Sequence, residues 1–373
     1  MDSGLSQHAI APTRVLRGAG AWGEGVEAIG ALCKRPLLLG RSGATAEVRR
    51  GLACDLRGAG LTEKAAELRF DCCEEDLGRL AVEARHGGEQ GNGPCDGVIA
   101  AGGGKVLDAG KLLAHRLALP CITVPTSAAT CAGWTALANL YSPEGAFERD
   151  VALDRCPDLL IFDHELVRQA PARTLASGIA DAMAKWYEAA VSSGASTDGL
   201  VQQAVQMART LRDQLLIDGE AALLEPGSEA WGRVAEGCAL TAGLIGGIGG
   251  ARCRTVAAHA VHNGLTHLPA THGLLHGEKV GFGVLVQLRL EEVLGGSQLA
   301  AQARRQLIPF FRSLGLPIDL DDLNLASASL EELRRVCAFA CLPESDLHHL
   351  PFPVGPTELL AALVSTTAEL RTA

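Results

Sequence analysis

The first half of the chain alternates short apolar runs with longer segments whose apolar residues recur every three or four positions. The short runs predict strands at residues 36–40, 97–101, 121–125 and 159–163, and the longer segments predict helices at residues 44–59 and 105–117. Strands that alternate with helices in this way are typical of βαβ units and a parallel sheet. This half of the sequence therefore predicts an α/β domain.

The pattern changes from about residue 169 onward. Strand-like runs become scarce, and long segments rich in Ala, Leu, Glu and Arg predict helices. We therefore expect two domains, an α/β domain at residues 1–168 and an all-α domain at residues 169–373. The glycine-rich stretch at residues 87–94 predicts a flexible surface loop within the first domain.

Composition and charge exclude several classes of function. The 373 residues are 47% hydrophobic, which is enough for the cores of two domains. The formal charge of -10 lacks the basic surface that nucleic-acid binding requires. No apolar run reaches the roughly 18 residues of a membrane helix, and the first residues do not resemble a secretory leader. Twelve cysteines without a CxxC pair predict reduced thiols. We expect a cytoplasmic protein with neither a nucleic acid nor a membrane as partner.

Two glycine-rich segments are candidates for binding a dinucleotide phosphate. Residues 18–23 match GxGxxG, but that fingerprint also needs an acidic residue about 20 positions later, where Gly40 and Arg41 stand. We therefore predict an ordinary turn there. Residues 102–105, GGGK, lie between a predicted strand and a predicted helix, where backbone N–H groups favour a pyrophosphate. Taken alone, this segment could equally be a structural turn.

One short window of the second half is rich in histidine. Its members are His259, His262, His267, His272 and His276. His259 and His262 share a helix face, Pro269 interrupts that pattern, and His276 opens a second predicted helix. A helix, a turn and a returning helix could bring two imidazoles to one point. The cluster could also consist of helix-cap, core and surface histidines.

Asp181 is the candidate carboxylate partner of these histidines. It lies among apolar residues, in what the pattern predicts to be the first turns of a helix. Burying an unpaired carboxylate is unfavourable, so the group should be paired, hydrogen-bonded or metal-bound; helix capping is the alternative. Two imidazoles and one carboxylate with an open position form a catalytic set for Zn²⁺ or Fe²⁺.

The chain resembles one known family through four motifs taken in order. These are GGGKVLDAGK from residue 102, VPTSAATCAGWTALANLYSPEGAFE from residue 124, ASGIADAMAKWYEA from residue 176 and AAHAVHNGLTHLPATHGLLHGEKVGFGVLVQ from residue 257. Together, over residues 97–290, they resemble the glycerol dehydrogenase-like branch of the metal-dependent ("iron-containing") alcohol dehydrogenases. The resemblance implies a dehydroquinate synthase-like fold, with an N-terminal nucleotide-binding α/β domain, an all-α metal-binding domain and the active site in the cleft between them.

The resemblance also implies the residues of the site. Asp181, His259 and His276 would hold a divalent metal, and His262 would lie behind the ligands or beside the substrate, where it could relay a proton. The implied cofactor residues, at the phosphates and then near the nicotinamide, are Gly103, Gly104, Lys105, Asp108, Thr126, Ser127, Thr135, Leu137 and Tyr141. The implied reaction is hydride transfer between a small secondary alcohol and NAD or NADP. The resemblance also implies a homo-oligomer.

Two departures from the family's pattern bear on substrate and cofactor. Cys131 stands where glycerol dehydrogenases have an Asp beside the polyol, and the motifs around it look closer to bacterial hydroxycarboxylate dehydrogenases, which reduce 2-oxo acids. A pocket without that carboxylate suits an anionic substrate, because like charges repel. Arg41 stands where NAD-preferring relatives have an Asp, and it could pair with the 2′-phosphate of NADP(H).

These departures favour a 2-hydroxy acid and 2-oxo acid pair as substrate and product, with NADP(H) as cofactor. If Arg41 is only a solvated loop residue, the cofactor is NAD. Three alternatives stay open at this point: a glycerol dehydrogenase that uses NAD, a dehydroquinate synthase-like lyase on the same fold, and a metal- or nucleotide-binding module without chemistry.

Overall fold

The computed structural model describes residues 7–86 and 93–370, with side chains up to residue 366. Most of the loop predicted at residues 87–94 lies outside this part of the chain. The contacts divide the protein into two compact units. The first contains residues 1–144 and 148–170, and the second contains residues 145–147 and 171–373.

The first unit is built from strands and helices in alternation, as predicted. Its strands are β1 (Arg14–Gly18), β2 (Pro36–Gly40), β3 (Lys64–Glu67), β4 (Gly97–Gly102), β5 (Cys121–Pro125), β6 (Leu137–Tyr141), β7 (Phe147–Ala152) and β8 (Leu159–Asp163). Its helices are α1 (Ala21–Leu32), α2 (Ala46–Gly58), α3 (Glu74–His86), α4 (Gly104–Leu117) and α5 (His164–Val167). All four strands predicted from apolar runs are present. The helix predicted at residues 44–59 begins two residues later, because a 3₁₀ turn at Gly43–Thr45 precedes it.

Six of these strands form one parallel sheet in the order β1-β8-β5-β4-β2-β3. From β2 the chain continues toward one edge of the sheet, to β3. From β4 it continues toward the other edge, to β5. The helices that follow these two strands pack on opposite faces: α2 joins the core beside α1, and α4 joins the core beside α3. In open α/β sheets such a reversal leaves a crevice at the carboxyl ends of the strands, where ligands bind.

The second unit is helical. Its helices are α6 (Ala172–Ser193), α7 (Gly199–Leu224), α8 (Glu229–Glu236), α9 (Ala242–Gly249), α10 (Ala257–Leu265), α11 (His276–Val293), α12 (Gln298–Ser313), α13 (Leu330–Ala340) and α14 (Pro356–Leu370). Helix α11 is apolar on nearly all sides and lies at the centre, in contact with α6, α10, α12 and α14. No helix within the described residues is long and apolar enough to cross a membrane.

Candidate functional site

Three helices of the second unit carry the predicted metal ligands. His259 lies in the first turn of α10, and His276 is the first residue of α11. Asp181 lies in the third turn of α6, well past the start of that helix at Ala172. The prediction that Asp181 belongs to the first turns of its helix is therefore wrong, and the capping role is excluded with it, because a cap must precede the first turn.

The three side chains converge on one point. Their ligand atoms all lie within 4.8 Å of one another. Asp181 Oδ1 lies 3.4 Å from His259 Nε2 and 3.5 Å from His276 Nε2. Two ligands of a tetrahedral zinc ion, each about 2.0–2.1 Å from the metal, are about 3.3 Å apart. The spacing of the donor atoms therefore fits a four-coordinate divalent ion.

The electrostatic state of Asp181 supports the same fit. Its side chain is buried, and Oδ1 accepts no hydrogen bond from the described residues. Burial by itself raises the pKa of this carboxyl group, but the Lys185 ammonium and the two facing imidazoles outweigh burial and hold the pKa well below its ordinary value. A buried, ionised oxygen without a hydrogen bond is a donor atom that a cation would satisfy.

His259 has a carboxylate behind it. Its Nδ1 donates a hydrogen bond to Glu188 Oε2 over 2.7 Å, so in the neutral ring the lone pair of Nε2 is directed toward Asp181. Burial alone would lower the pKa of His259, but Glu188 outweighs burial and raises the pKa to about 9. Since a metal binds the neutral imidazole, an ion that binds here at neutral pH displaces a proton.

His262 lies behind the other imidazole ligand. His276 Nδ1 and His262 Nε2 are 3.0 Å apart, and His262 Nδ1 and Asn263 Oδ1 are 2.8 Å apart. Because the amide oxygen can only accept, Nδ1 of His262 donates to it, and Nε2 of His262 accepts from His276. Burial and the neighbouring His276 hold the pKa of His262 well below its ordinary value, so this ring is neutral.

The remaining two histidines of the window do not join the site. His267 Nε2 lies 3.1 Å from the carbonyl oxygen of Phe147, and His272 Nε2 lies 2.9 Å from that of Thr266. Both imidazoles therefore bind backbone carbonyl groups and not the candidate ligands. The histidine window therefore contains two candidate ligands, one residue that contacts a candidate ligand, and two histidines bonded to backbone carbonyl groups.

The backbones of α6 and α11 approach very closely beside the ligands. Gly277 N donates a hydrogen bond to Ser177 Oγ over 3.0 Å. A Cβ atom built on Gly277 would lie 1.8 Å from the carbonyl oxygen of Ser177. Only glycine allows this approach, which brings His276 to Asp181, one turn further along α6.

In the first unit, the two glycine segments differ in what lies at the start of the helix that follows each of them. Asp163 at the end of β8 accepts a hydrogen bond from Trp22 N over 2.8 Å, so a carboxylate of the protein caps the N-terminus of α1. Residues 18–23 are therefore the end of β1, a two-residue turn at residues 19–20 and the start of α1. At the start of α4, Gly103 is the N-cap residue, and no side chain of the described residues caps it. The N–H groups at the start of α4 lie at the carboxyl end of β4, where the direction in which the chain crosses the sheet reverses.

Arg41 and Lys105 lie at this same edge of the sheet and share a partner that the sequence analysis missed. Asp71, in the segment after β3, accepts hydrogen bonds from Arg41 Nη1 on Oδ1 and from Lys105 Nζ on Oδ2. Asp71 is buried, whereas Arg41 and Lys105 are about 37% and 45% exposed. The Lys105 ammonium also lies 5.0 Å from the ring centre of Tyr141. The two cations and one buried carboxylate carry a net positive charge.

The other implied cofactor residues have mixed surroundings. Asp108 is buried, pairs with Lys111 Nζ at 3.0 Å and accepts from Asn139 N at 3.2 Å. Lys111 Nζ in turn donates to Thr135 Oγ1 and to the carbonyl oxygens of Thr135 and Leu137. Asp108 and Lys111 therefore support the segment that leads into β6. Three more implied residues lie in the segment between β5 and β6: Thr126 (buried), Ser127 (half-buried) and Cys131 (half-buried).

Comparison with known proteins identifies the family. The model of the family "Iron-containing alcohol dehydrogenase" matches residues 12–164. An uncharacterized oxidoreductase of Synechocystis sp. is 54% identical over 98% of this chain and 93% of its own length. A glycerol dehydrogenase of Pseudomonas putida is 34% identical over 83% of each chain, and hydroxycarboxylate dehydrogenase A of Escherichia coli is 35% identical over 86% of each chain.

Solved structures agree with this family in fold. A probable glycerol dehydrogenase from Sinorhizobium meliloti superposes with a TM-score of 0.86 at 28% identity, over 99% of this chain and 100% of that one. The predicted fold class, an α/β unit followed by a helical unit, is confirmed. The chain therefore belongs to the glycerol dehydrogenase-like branch of the iron-containing alcohol dehydrogenase family, and it is a metal-dependent oxidoreductase that acts on CH–OH groups.

Proposed function

We propose that this enzyme interconverts a small 2-hydroxy acid and the corresponding 2-oxo acid with NADP(H), at a divalent metal held by Asp181, His259 and His276. The observation that carries the metal site is the convergence of two imidazole Nε2 atoms on a buried carboxylate oxygen that accepts no hydrogen bond within the described chain. With three protein ligands, such a site keeps a coordination position for substrate.

A divalent ion held there supplies Lewis acidity toward the carbonyl or hydroxyl oxygen of the substrate. The protein's own residues prepare the site for it. Lys185 keeps Asp181 ionised, and the partners on each Nδ1 direct the lone pairs of His259 and His276 inward. His262 acts in this proposal through His276, as a positioning residue, because both of its ring nitrogens already have partners.

For the cofactor, we propose that the pyrophosphate binds at the N-terminus of α4, with Gly103 and Gly104 allowing its close approach. Arg41 and Lys105 supply positive charge beside it, and Asp71 fixes both side chains. Arg41 is partly exposed, so its guanidinium keeps donors for a 2′-phosphate. This arrangement favours NADP(H) over NAD(H), since a 2′-phosphate gains an ion pair here.

For the substrate, a cysteine at position 131 in place of an acidic residue favours an anionic compound over a polyol. The similarity to hydroxycarboxylate dehydrogenase A supports this choice. The second candidate is oxidation of glycerol with NAD⁺, which the similarity to the Pseudomonas putida glycerol dehydrogenase supports at nearly the same identity.

Initial rates distinguish the two candidates. The metal-free protein is reconstituted with Zn²⁺ or Fe²⁺ and assayed with NADPH or NADH against 2-oxobutanoate and 2-oxoglutarate, and with NADP⁺ or NAD⁺ against glycerol. We expect the highest kcat/KM with an oxo acid and NADPH. Turnover of glycerol with NAD⁺ alone would contradict the proposal and establish the second candidate. Asp181→Asn is the control, and it should abolish metal binding and turnover while the protein stays folded.

A further inference from the structure

Glu188 is the most completely buried carboxylate near the metal ligands. It lies on α6 seven residues after Asp181, so the two carboxylates share one face of the helix, about 10 Å apart along its axis. Its exposed fraction is 0%. A carboxylate at such a position needs compensating hydrogen bonds, and their arrangement indicates what the group does.

Glu188 accepts three hydrogen bonds from one short segment. Oε1 accepts from Val256 N at 2.6 Å and from His259 N at 3.1 Å, which are backbone groups at the start of α10. Oε2 accepts from the imidazole Nδ1 of His259 at 2.7 Å. No side chain of α10 itself caps that helix, since Val256 is its N-cap residue. Glu188 therefore fixes the backbone that carries His259 and the ring of His259 at once.

We propose that Glu188 is a positioning residue of the metal centre, which sets the tautomer and orientation of His259. A carboxylate that can only accept forces the proton of the neutral ring onto Nδ1 and leaves the Nε2 lone pair free for an ion. Helix α6 thus supplies both a ligand, Asp181, and, two turns later, the group that prepares the ligand on α10. This inference rests on the proposed metal site but adds a residue to it.

Glu188→Gln tests the inference because it changes hydrogen-bond character without changing size. The glutamine oxygen can keep the bonds from the backbone of α10, and its NH₂ group then faces His259 Nδ1. That nitrogen must now accept, so the ring proton moves to Nε2, which points toward Asp181 at 3.4 Å. A protonated Nε2 cannot bind a metal. We expect Zn²⁺ affinity to fall by about 10- to 100-fold or more, with little change in the thermal unfolding of the metal-free protein.

Gln287→Met is the matched control. Gln287 Oε1 accepts from Ala258 N at 3.2 Å, so this fully buried residue holds the same helix start without touching the imidazole. The control should lower the unfolding temperature and leave Zn²⁺ affinity within about threefold of the wild type. It thereby measures what loss of support for the helix start does when the imidazole contact is kept, together with the loss of the bonds that Gln287 Nε2 donates to the carbonyl oxygen of Tyr187 and to Glu291.

Zn²⁺ affinity is measured by competition with a chromophoric chelator, and stability by thermal unfolding of the metal-free full-length chain. Wild-type affinity in Glu188→Gln would overturn the inference. Equal losses of affinity in both variants would also overturn it, because they would show that support of the helix start alone matters. If the wild type binds no metal at all, the proposed function fails instead, so the two failures are distinguishable.

Discussion

Replacing Gly277 by alanine tests whether the close approach of α6 and α11 creates the metal site. The new Cβ would lie 1.8 Å from the carbonyl oxygen of Ser177, and real Cβ contacts essentially never fall below 3.0 Å. The start of α11 must therefore move away from α6 by about 1.2 Å, because the obstructing atom belongs to backbone and cannot rotate away. His276, the preceding residue, moves with it.

The expected effect is large in two respects. Inserting a methyl group against backbone in a packed core destabilises a protein by about 1–3 kcal/mol, and this contact belongs at the upper end. Metal ligands tolerate displacements of only about 0.2 Å. A shift of about 1.2 Å therefore removes His276 from the ligand set, and Zn²⁺ affinity should fall at least about 100-fold.

Chelator competition and urea unfolding of the metal-free protein measure the two effects. Gly273→Ala is the matched control, because Gly273 lies on the same approach to α11 and its Cβ would meet no atom within 4 Å. That variant should bind Zn²⁺ like the wild type. If Gly277→Ala also retained wild-type affinity and stability, the backbone contact would not determine the ligand geometry.

Three further predictions concern charge. Burial raises the pKa of Glu291 from 4.5 to about 7, although a hydrogen bond from Gln287 opposes this shift. The free energy of unfolding therefore falls as pH rises through that interval, because the buried carboxyl group resists ionisation. Glu291→Gln should therefore raise the free energy of unfolding of the metal-free protein by about 1–3 kcal/mol at pH 8 and by much less at pH 5. An equal gain at both pH values would refute the raised pKa of Glu291. Arg41→Ala should lower kcat/KM for NADPH by about 10- to 100-fold and change that for NADH little, whereas equal losses with both cofactors would remove Arg41 from 2′-phosphate recognition. Cys131→Asp should lower kcat/KM for 2-oxo acids by at least about 10-fold through charge repulsion, and unchanged kinetics would show that residue 131 does not face the substrate.

The sequence predicts the centre of the sheet well and its margins poorly. Strands such as β2 and β4 are buried on both faces, so they are continuous apolar runs that stand out from their surroundings. The edge strand β3 has Lys64 and Glu67 at its ends and is mostly not buried, and β7 carries charged residues at 148–150. Short, partly exposed strands of this kind lack the apolar signal, so they were not predicted.

The sequence indicates the three candidate metal ligands that the fold brings together, but it does not indicate the residues that support them. Histidine spacing and the flanking motifs indicate Asp181, His259 and His276 together. Glu188 and Asp71 act on residues that lie 71 and 30 positions away in the sequence. Only the fold brings these pairs together, and an acidic residue within a helix or a loop gives no signal of its own. The one available hint was that Glu188 follows Asp181 at a spacing of seven, which places both on one helix face.

The candidate metal ligands all belong to the second unit, and Asp181 precedes His259 by 78 positions and His276 by 95 positions. An ion that binds only this folded arrangement adds its binding free energy to that of folding, about 2.7 kcal/mol when the free ion exceeds its Kd a hundredfold. In a cell that is short of the ion, this protein therefore loses stability as well as activity. The unloaded chain unfolds more often and becomes a better protease substrate, so the cellular amount of this protein should follow the supply of its metal.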